Sequence, residues 1–80
     1  MSRRPVHEVR VGLVVARVRE FKRRGKIHHS ISVHRLFRNG DCWTESQRFA
    51  FRDIPSVSFV LDEAHRWLLV RKQSLAQESP

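Results

Sequence analysis

This chain of 80 residues has one cysteine, no tyrosine, three glycines, three prolines and eight acidic residues against sixteen Lys and Arg. A lone thiol, Cys42, cannot form the intramolecular disulfide that staples small secreted domains. With no CxxC partner it reads as a small strand residue in a reducing, cytoplasmic setting. No apolar run approaches the roughly 20 residues of a membrane-spanning helix, which excludes a membrane role of that kind. The basic start from Met1 to Pro5 leads into alternating charge in place of an apolar segment, so no signal peptide is expected. Also absent are catalytic and cofactor motifs, helix-turn-helix and RNP-type base-reading motifs, and any sign of a small-molecule substrate. The expectation is a protein that is not an enzyme, with no cofactor, no metal and no catalytic residue.

Positive charge is what the chain has in excess, and it is unevenly spread. Residues 1–40 carry eleven Lys and Arg against Glu8 and Glu20, whereas residues 41–80 carry five against six acids. The net charge of +8 is therefore a property of the N-terminal half. Arg17, Arg19, Lys22, Arg23, Arg24 and Lys26 fall within ten positions. A cluster of that density attracts phosphates and other polyanions through contacts that are salt-sensitive and independent of sequence. The bland alternative is that charges beside a turn are solvated or discourage edge-to-edge strand pairing.

Periodicity assigns the chain to the α+β class. Val14, Ala16 and Val18 alternate with Val15, Arg17 and Arg19, the period of two of a strand with one apolar and one basic face. Val9, Val11 and Leu13 run in the opposite phase, which suggests a bulge or bend at Gly12 within one long strand over residues 7–19. A four-residue loop at 22–25 leads to a second strand at 26–37. Asn39-Gly40, the strongest short-range hairpin signal, leads to a third at 42–49. Those loops pair Val14 with Val33, Ala16 with Ile31 and Val18 with His29, then Phe37 with Cys42, Leu36 with Trp43 and His34 with Glu45. Beyond them Asp53 can cap a helix in which Val57, Val60, Leu61, Ala64, Trp67 and Leu68 recur at helical spacing, with Pro55 tolerated in the first turn. The expected architecture is an antiparallel meander of three or four strands covered on one face by the C-terminal helix, with residues 49–51 either continuing the sheet or turning into the helix. A single domain is expected over residues 6–72, between a flexible basic segment at 1–5 and a flexible tail at 73–80.

The uncovered sheet face would carry Val11, Leu13, Val15, Leu36 and Trp43 toward one end, and Arg17, Arg19, His28 and Ser30 toward the other. Aromatic groups beside arginines are what a sheet binding single strands uses. An apolar patch of this kind serves equally as a homodimer interface or as the seat for a further strand. The candidate binding residues are therefore Arg17, Arg19, Lys22, Arg23, Arg24, Lys26 and Trp43, with DNA or RNA bound non-specifically. The alternative is a protein-interaction or homo-oligomerisation module. At the level of fold alone, the layout resembles Whirly-type sheets closed by a terminal helix.

Several residues together resemble a family of small uncharacterised bacterial proteins. They are Val9-Arg10-Val11-Gly12, Val14 and Ala16, then Arg35-Leu36-Phe37-Arg38-Asn39-Gly40-Asp41 with Trp43, Phe49, Asp53-Ile54, Asp62, and Ala64-His65-Arg66-Trp67-Leu68. The family pattern is I-R-V-G-x-I-x-A, R-x-Y-K-D/N-G-x-x-W, S-F-x-x-D-L and A-H-x-W-I, and the resemblance spans about residues 9 to 68. It implies no activity, ligand or catalytic residue. Within A-H-x-W, His65 is expected to donate to a backbone group and Trp67 to pack on the sheet. The remaining constellations are weak. His28 and His34 share a strand face about 20 Å apart, too far to bind one metal ion. Asp62 and His65 lie beside no nucleophile.

Overall fold

The structure is a computed structural model describing residues 4–78, with side chains through residue 75. Four strands, β1 (His7–Val11), β2 (Val14–Arg23), β3 (Lys26–Asn39) and β4 (Cys42–Ser46), form one antiparallel sheet in the order of the chain. One 3-10 turn (Phe51–Asp53) leads into a single helix, α1 (Ile54–Glu78), which packs on the sheet. The protein is thus an α+β meander closed by its C-terminal helix. The helix runs on past Lys72, where the sequence places the end of the domain. The expected flexible segments include residues 1–3 and 79–80, which lie outside the described residues.

Where a bulge is expected at Gly12, the chain reverses. Val11 pairs with Val14 across the two-residue loop Gly12-Leu13, and Gly12 has φ +58, the left-handed value that the first position of a type II′ hairpin requires. The reversal explains the phase shift in the sequence. Across a two-residue loop odd residues face even ones, so Val9 lies opposite Ala16 and both join the same face. The fourth strand thus comes from the N-terminal segment, and residues 49–51 leave the sheet.

The β2–β3 loop is Arg24-Gly25 alone, with φ of 52 and 77, the pair of positive values that a type I′ turn needs. Val14 therefore pairs with Arg35, Ala16 with Val33 and Val18 with Ile31. In the last hairpin the loop is Gly40-Asp41 instead of Asn39-Gly40, so Asn39 pairs with Cys42, Leu36 with Glu45 and Arg38 with Trp43. Both registers differ from expectation by two residues. A slip of two keeps every side chain on its face, so the hydrophobic pattern is equally satisfied by either register.

One face of the sheet and one stripe of α1 enclose the core. Val14, Ala16 and Val18 of β2 meet Val60, Ala64 and Leu68, with Val9, Val11, Val33, Val57 and Trp67 packed around them. The helical positions recur every three or four residues, and full burial of each larger aliphatic stabilises the fold by about 1.5–3 kcal/mol. Val11, expected on the uncovered face, belongs to this core, while Leu61, expected inside, is 40% exposed. Trp67 packs on the sheet by stacking flat on His7 at 4.6 Å, and His65 is exposed. Asp53 does not cap α1 from in front of it. Its carboxylate accepts from the Ala50 N–H at 2.8 Å and pairs with Arg35 at 3.0 Å, tying the entry of the helical segment to β3. The helix leans over β1 and β2, leaving much of β3 and β4 uncovered.

Candidate functional site

The sheet face opposite α1 is a ladder of cross-strand pairs from β2 and β3. Starting at the β2–β3 turn these are Arg23 with Lys26, Phe21 with His28, Arg19 with Ser30, Arg17 with Ser32 and Val15 with His34. The rings of Phe21 and His28 stack at 5.5 Å with 22° between planes. On the turn side of that pair, Arg23, Arg24, Lys26 and His28 line a concavity of about 430 Å³. Every one of these four side chains carries or can acquire positive charge. Among the described residues, Lys22, Arg23, Arg24 and Lys26 form no ion pair with a carboxylate.

Farther along the ladder the charges are already matched. Arg17 bonds Glu8 of the neighbouring β1 at 3.1 Å on one side and, across β3, Glu45 of β4 on the other, so acids from two other strands converge on it. The hydrogen bond with Glu45 is the main reason the guanidinium pKa is raised, and that with Arg17 is the main reason the Glu45 carboxyl is lowered. Arg19 donates to the Ser32 hydroxyl at 3.1 Å and stands between this network and the aromatic pair. His34 lies 3.9 Å from Glu45, a diagonal contact, since the register sets Glu45 against Leu36.

Trp43 is 61% exposed and pairs with Arg38 near the other end of β3. Ten residues of strand, about 33 Å, separate Arg38 from His28. The sequence-selected residues therefore divide into the turn group Arg23, Arg24 and Lys26, Lys22 on the α1 face opposite Ile27, the adjacent Arg19, the charge-matched Arg17, and a remote Trp43. Sequence reasoning missed Phe21 and His28 as an aromatic site, because only the register reveals that they stack. Among the described residues no group of three His, Cys, Asp or Glu side chains could hold a metal ion. Asp62 pairs with Arg66 one helical turn on, at 3.2 Å, and Cys42 is exposed beside the last hairpin loop. No helix is long and apolar enough to cross a membrane. No protein-family model, curated protein or solved structure matches the chain.

A second charged cluster lies on the opposite face and ties α1 to the sheet. Arg71 donates through two nitrogens to Glu20 of β2, both at 3.2 Å, and Glu20 also bonds the His29 ring at 2.9 Å. The hydrogen bond from Arg71, followed by that from His29, holds the Glu20 carboxyl below its ordinary value of 4.5. A carboxyl lowered in the folded state contributes stability that is complete above the unfolded value and is lost as pH falls through the folded one. Thermal melts across the acid range should therefore show the wild-type midpoint falling steeply below pH 4.5. Glu20→Gln should melt lower near neutrality and converge on the wild type in acid. Curves that stay parallel throughout would contradict this role for Glu20.

Proposed function

We propose that this protein binds single-stranded nucleic acid, without reading its sequence, on the sheet face opposite α1 at the β2–β3 turn. The observation that carries the proposal is the Phe21–His28 stack set between Arg23 and Lys26 on one side and Arg19 on the other. Phosphates would lie against Arg23, Arg24 and Lys26, whose charges no carboxylate among the described residues matches. A base would stack on Phe21. Unpaired bases suit such a platform, whereas in a duplex the ring faces are already covered. Contacts to phosphates and to a ring face carry no sequence information, so the binding is expected to be independent of sequence. The reading includes no catalytic step.

Fluorescence anisotropy of a labelled oligothymidylate at several salt concentrations tests it. Three phosphate-facing side chains predict that log K falls with log salt at a slope of about −2, given roughly 0.7 per contact on single strands. Self-association through an apolar patch, the other reading open from the sequence, would instead persist as salt rises. Phe21→Ala should weaken binding by about 5–30-fold, corresponding to about 1–2 kcal/mol of stacking. Trp43→Ala should change it by less than about twofold, being so far along the strand. Absence of binding at low salt, or binding indifferent to Phe21→Ala, rejects the proposal.

A further inference from the structure

A different part of the molecule presents a second surface. β4 pairs with β3 only from Arg35 to Asn39, so the turn-proximal part of β3 has β2 on one side and no strand on the other among the described residues. The orientation of its backbone follows from one bond. The Leu36 N–H donates to the Leu13 carbonyl at 2.7 Å, toward β2, which turns the even residues of β3 toward β2 and the odd ones away. Arg35, Phe37 and Asn39 thereby meet β4, while the N–H and C=O groups of Ile27, His29, Ile31 and Val33 face the open edge. Native sheets blunt such edges with inward-pointing charge, proline or a bulge. The sequence Ile27-His28-His29-Ser30-Ile31-Ser32-Val33 contains neither lysine, arginine nor proline.

The open edge borders a groove of about 420 Å³ between β3 and the C-terminal half of α1. Ile27, Ile31, Leu68 and Leu69 give it apolar walls, and His65 and Lys72 stand on the helix side. Ile27 is 45% exposed and Leu69 56%, so the walls are only half covered. His29 also lines the groove, and its Nδ1 is buried without a partner. No carboxylate lines the groove, and its turn-proximal end lies beside Lys26 and the Arg24-Gly25 loop.

We infer that this groove receives an extended segment of an acidic partner protein, added to the sheet as an antiparallel strand in line with β4. Four outward N–H and C=O pairs call for a strand, because only another backbone offers donors and acceptors at that spacing. Ile27, Ile31 and Leu69 call for apolar side chains at alternate positions of that strand. An antiparallel strand entering beside Ser46 ends at the basic turn, so carboxylates belong at its C-terminal end, near Lys26 and Lys72. A second copy is disfavoured on charge. Pairing β3 with itself over residues 27–33 sets Lys26 opposite the mate's His34 and brings the Arg24-Gly25 turn against its Arg35, between chains of net charge +8.

The test is a titration of the full-length, nitrogen-15-labelled protein with the synthetic peptide acetyl-Thr-Val-Ser-Val-Asp-Glu-amide, followed by backbone amide shifts. Saturable shifts at Ile27, His29, Ile31 and Val33, with slowed hydrogen exchange of the same amides, are the expected result. A peptide with Lys-Lys replacing Asp-Glu should bind at least about tenfold more weakly. One with alternate backbone nitrogens methylated should not bind. Ile31→Arg and, independently on the helix, Leu69→Arg should abolish the response in protein that stays folded, its melting temperature lowered by no more than about 4–8 °C. The inference is overturned by no response, by an equal response to the methylated peptide, by the same amides shifting with protein concentration alone, or by oligothymidylate shifts at those amides that Leu69→Arg abolishes. The third result would assign the groove to a second copy and the fourth to nucleic acid. Because the oligothymidylate reading rests on Phe21 and the opposite face, either proposal can fail while the other stands.

Discussion

Arg23→Glu combined with Lys26→Glu weakens binding of a single-stranded oligonucleotide by at least about tenfold at low salt, and reduces the salt dependence to near zero. The two residues are cross-strand partners at the turn, and both line the concavity next to the Phe21–His28 stack. Replacing both reverses two of the three unmatched charges on that face and leaves Arg24 against two new carboxylates. No net attraction for phosphate remains at the turn. Each phosphate contact contributes roughly 0.7 to the salt slope on single strands, so losing all three contacts removes essentially the whole dependence. Both side chains are exposed and face no acidic neighbour, so a like-charged pair is exchanged for another and the melting temperature should hold. Anisotropy read beside a thermal melt separates loss of binding from loss of fold. Unchanged affinity in a folded variant would place the phosphate contacts elsewhere.

The sheet faces are legible in the sequence because side-chain direction has a period of two. Val14, Ala16 and Val18 could lie on one side only, and the helical spacing of Val57, Val60, Ala64 and Leu68 supplied their cover. Register is a different matter. Loops of four and two residues, as expected, and loops of two shifted by one position, as found, leave every side chain on the same face, so the apolar pattern cannot choose between them. The site depends on that choice. With Val14 opposite Val33, Phe21 would face Lys26 and no aromatic pair would form. With Val14 opposite Arg35, it faces His28.

Charge was legible as composition and only partly as a site. Arg17 belongs to the basic run, yet Glu8 and Glu45, distant in sequence, reach it from strands on either side. Strand length mattered in the same way. A third strand over residues 42–49 would have covered β3 down to about Ser30, but β4 ends at Ser46 and leaves the edge open. The signal that could have foretold this is the mismatch between fourteen residues in β3 and five in β4, which depends on where the chain turns away toward the Asp53–Arg35 contact.

Ala64→Glu should leave the chain largely unfolded at room temperature. Ala64 is fully buried between β2 and α1, surrounded by Val14, Ala16, Val18, Val60 and Leu68, with no buried polar or charged residue among the core positions. A carboxylate placed there loses its hydration and gains no partner, a cost of several kcal/mol whether it stays ionised or takes up a proton. The larger side chain must also force α1 away from the sheet, adding about 1–3 kcal/mol of overpacking. At roughly 0.05–0.15 kcal/mol per residue, a domain of this size has a total stability of about 4–12 kcal/mol, which these two terms together consume. Leu61→Glu makes the comparison informative. It sits one turn earlier, is 40% exposed, and should cost no more than about 1 kcal/mol, or roughly 4–8 °C in melting temperature. Circular dichroism melts of the two variants read the difference directly. If Ala64→Glu melts within a few degrees of Leu61→Glu, α1 is not docked on β2 along the stripe of Val60, Ala64 and Leu68, and the helix that defines which sheet face is free would have to be placed anew.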